Sequence, residues 1–384
     1  MTRKVCIVVT ARPSYSRIRS TMLRLREMPG VELQVVLAAS SLLDVYGNVA
    51  EFIQKDGFEV NARVYSVVDG QSRLTSAKTT GLGLIELATV FDNLKPDLVV
   101  TIADRFETMS TAVAAAYMHI PLAHIQGGEI TGSIDEKVRH SITKLADTHY
   151  VSTDQARSYV IRMGESPECV FKTGCPSIDI AAEVLQAPEL SVDIFEKYGG
   201  VGHILDISSG YIVLMQHPVT NEAPAARQQM DASLEAVRRL GLPVLCFWPN
   251  LDAGSDGISR AIRILRERGH DENFHFFKNM AGNDFLRLLL RSKGIVGNSS
   301  VAIRECSFLG VPAVNIGTRQ EGREHAPNLL HAGYDADEIA TAVSKQLKHG
   351  HYESSHLYGD GLAGPRIAKL LSEVPLETAK KLTY

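Results

Sequence analysis

The sequence predicts an α/β protein made of two Rossmann-like, doubly wound domains. Short apolar, β-branched runs alternate with longer stretches of helical periodicity, which is the pattern of parallel sheets with crossover helices. The chain has 384 residues, more than one ordinary domain, and the alternation stops and restarts once near the middle. Two such sheets in series imply a cleft that faces the carboxyl ends of both sets of strands, and we expect the chemistry there.

The first half carries strand candidates that are separated by helical stretches. The strands are VCIVVT from Val5, LQVVLA from Leu33, DLVVTI from Asp97, PLAHI from Pro121, HYVST from His149 and CVFKTG from Cys169. The helices are Arg17–Met28, Leu82–Leu94 and Glu107–Met118, of which the first ends at a Pro-Gly pair.

From about Gln186 to Ser209 the alternation is lost in a segment that contains several glycines, and we place the domain boundary there. This predicts a first domain at residues 1–185 and a second at residues 210–384 that includes the C-terminal helices. The strands of the second half are YIVLMQ from Tyr211, PVLCFW from Pro243, FHFFK from Phe274, GIVG from Gly294 and PAVNI from Pro312, and its helices are Arg227–Leu240, Ile258–Arg268 and Asp284–Arg291.

The composition excludes several classes of protein. Charged residues make up 22% and hydrophobic residues 45% of the chain, which is typical of a globular protein. The 40 basic and 44 acidic residues leave a net charge of −4, which gives no electrostatic footprint for nucleic acid or an anionic membrane. The five cysteines are scattered, and neither a signal-peptide core nor an apolar run of about 18 residues occurs. We expect a cytoplasmic protein.

Familiar cofactor motifs are missing. GLGLIE at Gly81 resembles a dinucleotide fingerprint, but Glu86 occupies the third glycine position and no strand leads into it. No G-x-x-x-x-G-K-[ST] or H-E-x-x-H occurs, and the histidines form no i, i+4 ligand pair on a helix. We therefore expect neither a bound metal nor a dinucleotide cofactor.

Two polar motifs follow strands of the first half. TARPSYSR places Arg12 where a strand opens into a helix, which suits an anion or a base; a plain turn with Ser14 or Ser16 as helix N-cap is the alternative. TIADRFET places Asp104 and Arg105 just past an apolar strand, where packing explains a charged pair poorly; N-capping by Asp104 is the alternative.

The richest motif is HIQGGEITGSIDEKVRH, which starts at His124. A strand runs into two glycines that allow close backbone approach to a ligand, then into Glu129, Asp135 and Arg139 around a helix start. Acid/base chemistry needs carboxylates in different environments, which this cluster offers. Glu136 is interpreted instead as a charge that opposes the helix dipole.

Two motifs of the second half predict a site for a nucleoside diphosphate. His217 follows the first strand of that half, in LMQHPVTNE. Asn298, Ser299 and Ser300 follow a later strand and open a helix, which aims N–H groups and hydroxyls at an anion, although N-capping remains the alternative. Glu305 lies about a turn further on, where a carboxylate can accept two ribose hydroxyls, and Arg319 and Arg323 add cations beyond the next strand.

Taken in order, ADRFE, GGEITGSIDEKVRHSITKLAD, QHPVT, PNLDAGS, GNSSVAIRE and NIGTRQEGRE resemble the motifs of the hydrolysing UDP-N-acetylglucosamine 2-epimerases. The similarity runs from TARPSYSR at Thr10 to YGDG at Tyr358. It implies a GT-B fold with UDP in the interdomain cleft, a UDP-amino-sugar as the substrate, and a reaction without metal or NAD. We expect a homodimer or homotetramer.

The resemblance also implies a reaction in two stages. UDP leaves by anti elimination across C1–C2, which gives a 2-acetamidoglucal, and water then adds with inversion at C2 to give free N-acetylmannosamine. Matched by motif, the acid/base carboxylates are Asp104 and Asp135, further active-site residues are Arg105, Glu129 and His217, and nucleotide-binding residues are Arg12, Ser299, Ser300, Glu305 and Arg319. Their motifs add Gln126 to the catalytic candidates and Ser16, Arg139, Asn250 and Asn298 to the substrate-binding candidates.

One departure from the family pattern concerns Gln126. The family motif usually reads H-I-E-G-G-E, and an amide cannot take a proton as a carboxylate does. The departure keeps open a relative that acts on a 2,4-diacetamido-6-deoxy UDP-sugar on the way to legionaminic acid. A GT-B glycosyltransferase and a non-catalytic nucleotide-sugar sensor are the alternatives from other classes.

Overall fold

The computed structural model describes residues 2–43, 49–70, 72–131, 134–249 and 252–383. The chain divides into two compact units. The first comprises Met1–Glu129, Ile134–Ile180 and Tyr358–Tyr384, and the second comprises Ile130–Ser133 and Ala181–Leu357.

A seven-stranded sheet forms the centre of the first unit. Its strands are β1 (Arg3–Val9), β2 (Val31–Ala38), β3 (Ala62–Val64), β4 (Leu98–Ile102), β5 (Leu122–Ile125), β6 (Thr148–Val151) and β7 (Val170–Lys172). They lie in the order β3-β2-β1-β4-β5-β6-β7, and every pair is parallel. Strands β4 and β5 are buried along their whole length, as expected for a parallel sheet that is covered on both faces.

Helices cover both faces of this sheet, and apolar cores lie on its two sides. The helices are α1 (Arg12–Ser16), α2 (Arg19–Glu27), α3 (Val49–Lys55), α4 (Arg73–Leu94), α5 (Thr108–Tyr117), α6 (Asp135–Leu145) and α7 (Asp154–Arg162), and α8 (Pro176–Gln186) leads the chain into the second unit. The predicted helix from Arg17 is thus α2, with the separate short α1 before it.

The C-terminal helix α15 (Ala363–Glu373) belongs to the first unit, so its assignment to the second domain was wrong. It packs against α2. The Asp179 carboxylate accepts hydrogen bonds from the N–H groups of Ala363 at 2.9 Å and Gly364 at 2.6 Å, which satisfies the first donors of the helix. Sequence order gave no signal for this return, because the contacts join residues from opposite ends of the chain.

The second unit repeats the architecture. Its strands are β8 (Val201–Gly202), β9 (Ile212–Met215), β10 (Val244–Phe247), β11 (Phe274–Phe277), β12 (Gly294–Gly297), β13 (Ala313–Ile316) and β14 (Leu329–Ala332), in the order β14-β13-β12-β9-β10-β11-β8. Strand β8 pairs antiparallel with β11 at one edge, and the other pairs are parallel. Its helices are α9 (Ile194–Tyr198), α10 (Ala226–Arg238), α11 (Ser255–Glu267), α12 (Gly282–Arg291), α13 (Glu305–Leu309) and α14 (Ala336–His349).

Every strand that the sequence predicted is present, and the α/β class is confirmed. The strands that the sequence missed are short or lie in polar surroundings: β3, β8 and β14. The segment from Gln186 to Ser209 is not a linker, because it carries α9 and the edge strand β8 of the second unit. Among the described residues, no helix has both the length and the hydropathy needed to cross a bilayer.

Candidate active site

Several candidate residues of each unit lie where the strand order of its sheet reverses. In the first sheet β2 and β4 lie on opposite sides of β1, and in the second β10 and β12 lie on opposite sides of β9. Open parallel sheets bind ligands beyond the carboxyl ends of the strands at such a point. Thr10 directly follows β1 and Asp104 lies just past β4, while His217 and Asn298 occupy the equivalent places after β9 and β12.

A buried ion pair organises the candidate residues of the first unit. The guanidinium of Arg139, which is 1% exposed, contacts the carboxylate of Asp104, which is 8% exposed. Arg139 also donates to the backbone carbonyl of Glu129 at 2.5 Å, and its Nη1 lies 3.5 Å from the Glu136 carboxylate. One side chain from α6 therefore holds both the end of β4 and the turn that carries Glu129.

Asp104 does not cap a helix, so that alternative is wrong. Helix α5 begins at Thr108, and the residue before it, Glu107, makes no side-chain cap. The Glu107 carboxylate instead pairs with the Arg105 guanidinium, whose Nε lies 3.2 Å from Oε2. Its Oε1 accepts a hydrogen bond from the hydroxyl of Ser40 at 3.1 Å. The Arg105 guanidinium is thus fixed by a buried carboxylate that the sequence analysis did not select.

The side chain of Glu129 has a different environment from that of Asp104. It is 5% exposed, and its Oε1 accepts a hydrogen bond from the hydroxyl of Ser152 at 3.0 Å. Ser152 directly follows β6, so its place at the carboxyl end of a strand was the signal that could have identified it. One carboxylate pairs with a guanidinium and the other with a hydroxyl, which is the asymmetry that acid/base chemistry uses.

The two glycines before Glu129 have a packing reason. A Cβ on Gly127 would lie 3.0 Å from both His124 Nδ1 and Thr143 Oγ1, and a Cβ on Gly128, which has a φ of 77°, would lie 2.3 Å from the carbonyl oxygen of Ala156. Close approach of the backbone to a ligand, the interpretation from sequence, is not needed to explain these glycines. Contacts inside the first unit already require them.

His124 links this turn to Asp104. Its Nε2 lies 2.9 Å from the carbonyl oxygen of Ala103, which only accepts, so Nε2 carries the proton and Nδ1 accepts from the Thr143 hydroxyl at 3.1 Å. Complete burial lowers the pKa of His124 to about 3, so the ring is neutral at neutral pH. Sequence reasoning noted this histidine only as part of the motif.

Gln126 contacts sulfur rather than the acids. It is 1% exposed, its Nε2 donates to Cys175 Sγ at 2.7 Å, and the same sulfur lies 3.0 Å from the hydroxyl of Ser177. Its Oε1 is buried and has no hydrogen-bond partner among the described residues. The Gln126 amide therefore contacts the segment that joins β7 to α8.

Three further candidates of the first unit, Arg12, Ser16 and Asp135, lie on α1 and α6. The Arg12 guanidinium lies over the ring of Phe52, 4.9 Å from its centroid. Helix α1 has Ala11 as its N-cap without a side-chain bond, so capping by Ser14 or Ser16 is wrong, and Ser16 is the last residue of that helix. Asp135 is the first residue of α6, as predicted.

Asn298 organises the second unit. Its Oδ1 accepts from the N–H of His217 at 2.8 Å, and its Nδ2 donates to the His217 carbonyl at 2.8 Å. The side chain therefore holds the end of β9, and the assignment of Asn298 to substrate binding stays a prediction. Its own carbonyl accepts from Arg319 at 3.3 Å and from Gln320 at 2.9 Å.

The two serines after Asn298 open a single 3-10 turn rather than a long helix. Ser299 caps this turn, accepting from the N–H of Val301 at 3.5 Å, and the Ser300 hydroxyl lies 3.5 Å from the Arg304 guanidinium. Helix α13 starts only at Glu305. The Oε2 of that half-buried carboxylate has no hydrogen-bond partner among the described residues.

Glu222 fixes the loop before Arg319, and sequence reasoning missed it. Its carboxylate accepts from the hydroxyls of Thr318 at 2.5 Å and Tyr334 at 2.8 Å and from the amide of Gln229 at 2.6 Å. Burial raises the pKa of Glu222, but these hydrogen bonds outweigh it and lower the pKa below its usual value. Asn250, another candidate, lies outside the described residues.

The fold is of the GT-B-like class, and the chain belongs to the UDP-N-acetylglucosamine 2-epimerase family. The sequence model of that family matches residues 23–372. A UDP-N,N'-diacetylbacillosamine 2-epimerase (hydrolyzing) of Legionella pneumophila is 30% identical over 379 residues, which cover 98% of each chain. A UDP-N-acetylglucosamine 2-epimerase of Neisseria meningitidis is 27% identical over 361 residues, 94% of this chain and 92% of that protein.

A solved structure supports the fold class. The UDP-GlcNAc 2-epimerase of Methanocaldococcus jannaschii, in complex with UDP-GlcNAc and UDP, superposes with a TM-score of 0.81 at 16% identity, covering 96% of this chain and 99% of that one. At this identity the likeness concerns the fold alone.

We expect Arg139→Met to lower the free energy of unfolding by about 3–5 kcal/mol, because it leaves the buried Asp104 carboxylate without its guanidinium. The double variant Asp104→Asn/Arg139→Met should be less destabilised than the two single effects sum to. Urea unfolding followed by circular dichroism measures the cycle. Arg24→Met, which removes a 56% exposed partner of Glu27, is the control and should cost under about 1 kcal/mol. Additive single effects at positions 104 and 139 would contradict the coupling.

Proposed function

We propose that the protein is a hydrolysing 2-epimerase of a UDP-linked 2-acetamido sugar, which releases UDP and the free C2-inverted sugar. The observation that carries the proposal is the placement of two buried carboxylates, Asp104 beside a guanidinium and Glu129 beside a hydroxyl, after the neighbouring strands β4 and β5 of the first sheet. Membership of the epimerase family supports the reaction type.

The first unit supplies the proton transfers. A carboxylate takes the proton from C2 while the C1–O bond to UDP breaks, so that a C1–C2 double bond forms and UDP departs with the bonding pair. An acid then places a proton on the opposite face of C2, and the oxygen of a water molecule bonds to C1 while that water gives up one proton to a carboxylate. We assign the base and the acid to Asp104 and Asp135, with Glu129 beside them; Gln126 cannot do either task because an amide does not titrate.

The second unit holds UDP in this proposal. Ser299 and Ser300 offer hydroxyls after β12, Arg319 offers a cation to the departing diphosphate, and the free Oε2 of Glu305 can accept ribose hydroxyls. His217, whose backbone is fixed by Asn298, lies at the switch point of the same sheet. Cations and hydroxyls at the diphosphate favour departure because they stabilise the charge that develops there.

Two sugars are candidates for the group that UDP carries. The Legionella relative, which matches over nearly the full length of both chains, is named for UDP-N,N'-diacetylbacillosamine, and the Neisseria relative for UDP-N-acetylglucosamine. We propose the 2,4-diacetamido-6-deoxy sugar as the preferred substrate, since the relative with higher identity is named for it. Gln126, which departs from the usual family motif, fits a substrate other than UDP-N-acetylglucosamine.

Turnover in deuterated water tests the reaction on both UDP-sugars. We expect UDP release together with deuterium at C2 of the released sugar, since the C2 proton must be lost to the enzyme and replaced from solvent. Nuclear magnetic resonance of the product gives the label and the C2 configuration. Product with only protium at C2 would rule out the elimination route, and UDP release that needs an added acceptor would indicate a glycosyltransferase.

Removal of single titrating groups tests the assignment of roles. Asp104→Asn and Asp135→Asn should each lower kcat at least about a hundredfold, the usual loss for a general acid or base. Gln126→Met keeps the volume of the buried side chain and should lower kcat less than about tenfold, because no proton transfer is lost. Asp154→Asn, on a side chain that is 81% exposed, is the matched control. If Gln126→Met is as inactive as Asp135→Asn, the assignment fails.

Glu305→Gln tests the ribose contact. Hydrogen bonds to a charged group are worth about 1.5–3 kcal/mol, so the affinity for UDP should fall at least about tenfold. The variant should also discriminate less than the wild type between UDP and 2'-deoxy-UDP in calorimetry. Glu321→Gln, an exposed residue of the same unit, should bind both as the wild type does. Unchanged discrimination in Glu305→Gln would move the ribose site elsewhere.

A further inference from the structure

The segment after α15 returns to the first unit and binds the end of α6. The Nζ of Lys380 donates to the carbonyl oxygens of Thr143 at 3.1 Å, Lys144 at 2.9 Å and Ala146 at 2.6 Å. The last carbonyls of a helix have no partners within the helix, and a cation there also complements the helix dipole. Lys380 therefore caps α6 from a distant part of the chain. Its backbone lies at the surface, but its side chain is only 25% exposed.

A buried carboxylate fixes Lys380 from the other side. Glu165, which is 3% exposed, accepts from Lys380 at 2.6 Å, from Lys144 at 2.5 Å and from His149 at 3.0 Å. Burial raises the pKa of Glu165, but the hydrogen bonds from His149, Lys144 and Lys380 outweigh it and lower the pKa to about 2, so the carboxylate is charged at neutral pH. Lys380 thus bridges a charged group and the helix end.

A second contact fastens the same segment. The N–H of Thr383 donates to the carbonyl oxygen of Gly164 at 3.1 Å, and its hydroxyl lies 3.3 Å from the same oxygen. The side chain of Leu382 covers Gly164 so closely that a Cβ there would lie 2.8 Å from Leu382 Cδ2. The terminal segment therefore binds Gly164, the residue before Glu165, as well as the end of α6.

Two hydrogen bonds connect the end of α6 that Lys380 binds to the residue before Asp104. Thr143, whose carbonyl accepts from Lys380, donates through its hydroxyl to His124, and His124 donates to the carbonyl of Ala103, the neighbour of Asp104. The same helix carries Arg139, which pairs with Asp104. A displacement of α6 would move both supports of that carboxylate.

We propose that Lys380 is a positioning residue for the epimerase reaction, which holds α6 so that Arg139 and His124 keep Asp104 in place. The proposal rests on the proposed function. Of the residues assigned to UDP, only Arg12 lies in the first unit, on α1, and the others lie in the second unit, so loss of this contact should lower kcat without weakening UDP binding. If Lys380 only stabilised the fold, its loss would not lower kcat while leaving the affinity for UDP unchanged.

The experiment compares Lys380→Met, Lys380→Gln and Lys380→Arg with Lys381→Met in the full chain. Lys381 is exposed, and its side chain takes part in no hydrogen bond or ion pair among the described residues, so its variant controls for charge. We expect kcat to fall at least about tenfold in Lys380→Met and to stay within about threefold of the wild type in Lys380→Arg, which keeps the charge and several donors. The dissociation constant for UDP should remain the same in all four.

Hydrogen exchange gives a readout that does not depend on turnover. In Lys380→Met the amides of residues 140–146 should exchange faster than in the wild type, while exchange in the second unit stays unchanged. Lys380→Gln keeps two N–H donors without the charge and takes the place of Lys380→Met if that variant does not fold. The proposal is overturned by unaltered exchange of α6, by a kcat within twofold of the wild type in Lys380→Met, or by equal loss of UDP affinity. If the wild type turns over neither sugar, the proposed function fails, and the exchange data still decide whether Lys380 holds α6.

Discussion

The ion pair between Arg139 and Asp104 is the constraint on which the candidate site of the first unit depends. A guanidinium that is 1% exposed is costly to bury unless its charge is paired and its N–H groups are bonded. Arg139 meets this requirement with one carboxylate side chain and one backbone carbonyl, so the sheet and the turn before α6 must approach it from two sides. The buried guanidinium of Arg139 thus fixes the position of α6. Any group that shifts α6 therefore shifts Asp104 as well.

The two units use the same topology and position their polar groups by different means. In the first unit, charged side chains and the neutral ring of His124 connect the ends of neighbouring strands. In the second, the amide of Asn298 binds both backbone groups of His217 while its own carbonyl receives Arg319 and Gln320. The amide is uncharged and satisfies a backbone donor and acceptor together, so this arrangement fixes the loop without a buried charge.

The sequence was sufficient for features that local pattern and topology determine. Buried parallel strands are continuous β-branched runs, so each predicted strand was found. Residues that follow these strands lie along one edge of the sheet, because parallel strands end at the same edge. Long-range pairing is not encoded in spacing. Cys175 on Gln126 and the return of α15 to α2 join residues far apart in sequence, and no local pattern near either partner indicates the other.

Local interpretation also failed where one residue type serves two purposes. Asparagine after a strand suits a helix start or an anion, and the side chain of Asn298 also binds the backbone of another strand end. Paired glycines suit a ligand or a tight packing contact. The choice between such readings depends on neighbours supplied by other elements. For Gly128 that neighbour is a carbonyl of α7, which the motif itself does not contain.

Glu136 shows why a half-exposed carboxylate matters beside a buried pair. It was interpreted only as a charge near a helix start, but it lies 3.5 Å from Arg139 and accepts from His140 at 2.9 Å. If Asp104 takes a proton during the reaction, Arg139 loses its charged partner in a buried place, which by itself opposes the transfer. A second carboxylate within reach of the same guanidinium lowers that cost, because the cation stays paired through both states of Asp104. Helix α6 presents Arg139 and Glu136 one turn apart. In this proposal Arg139 holds Asp104 in place while Asp104 is charged, and Glu136 keeps Arg139 paired while Asp104 is protonated.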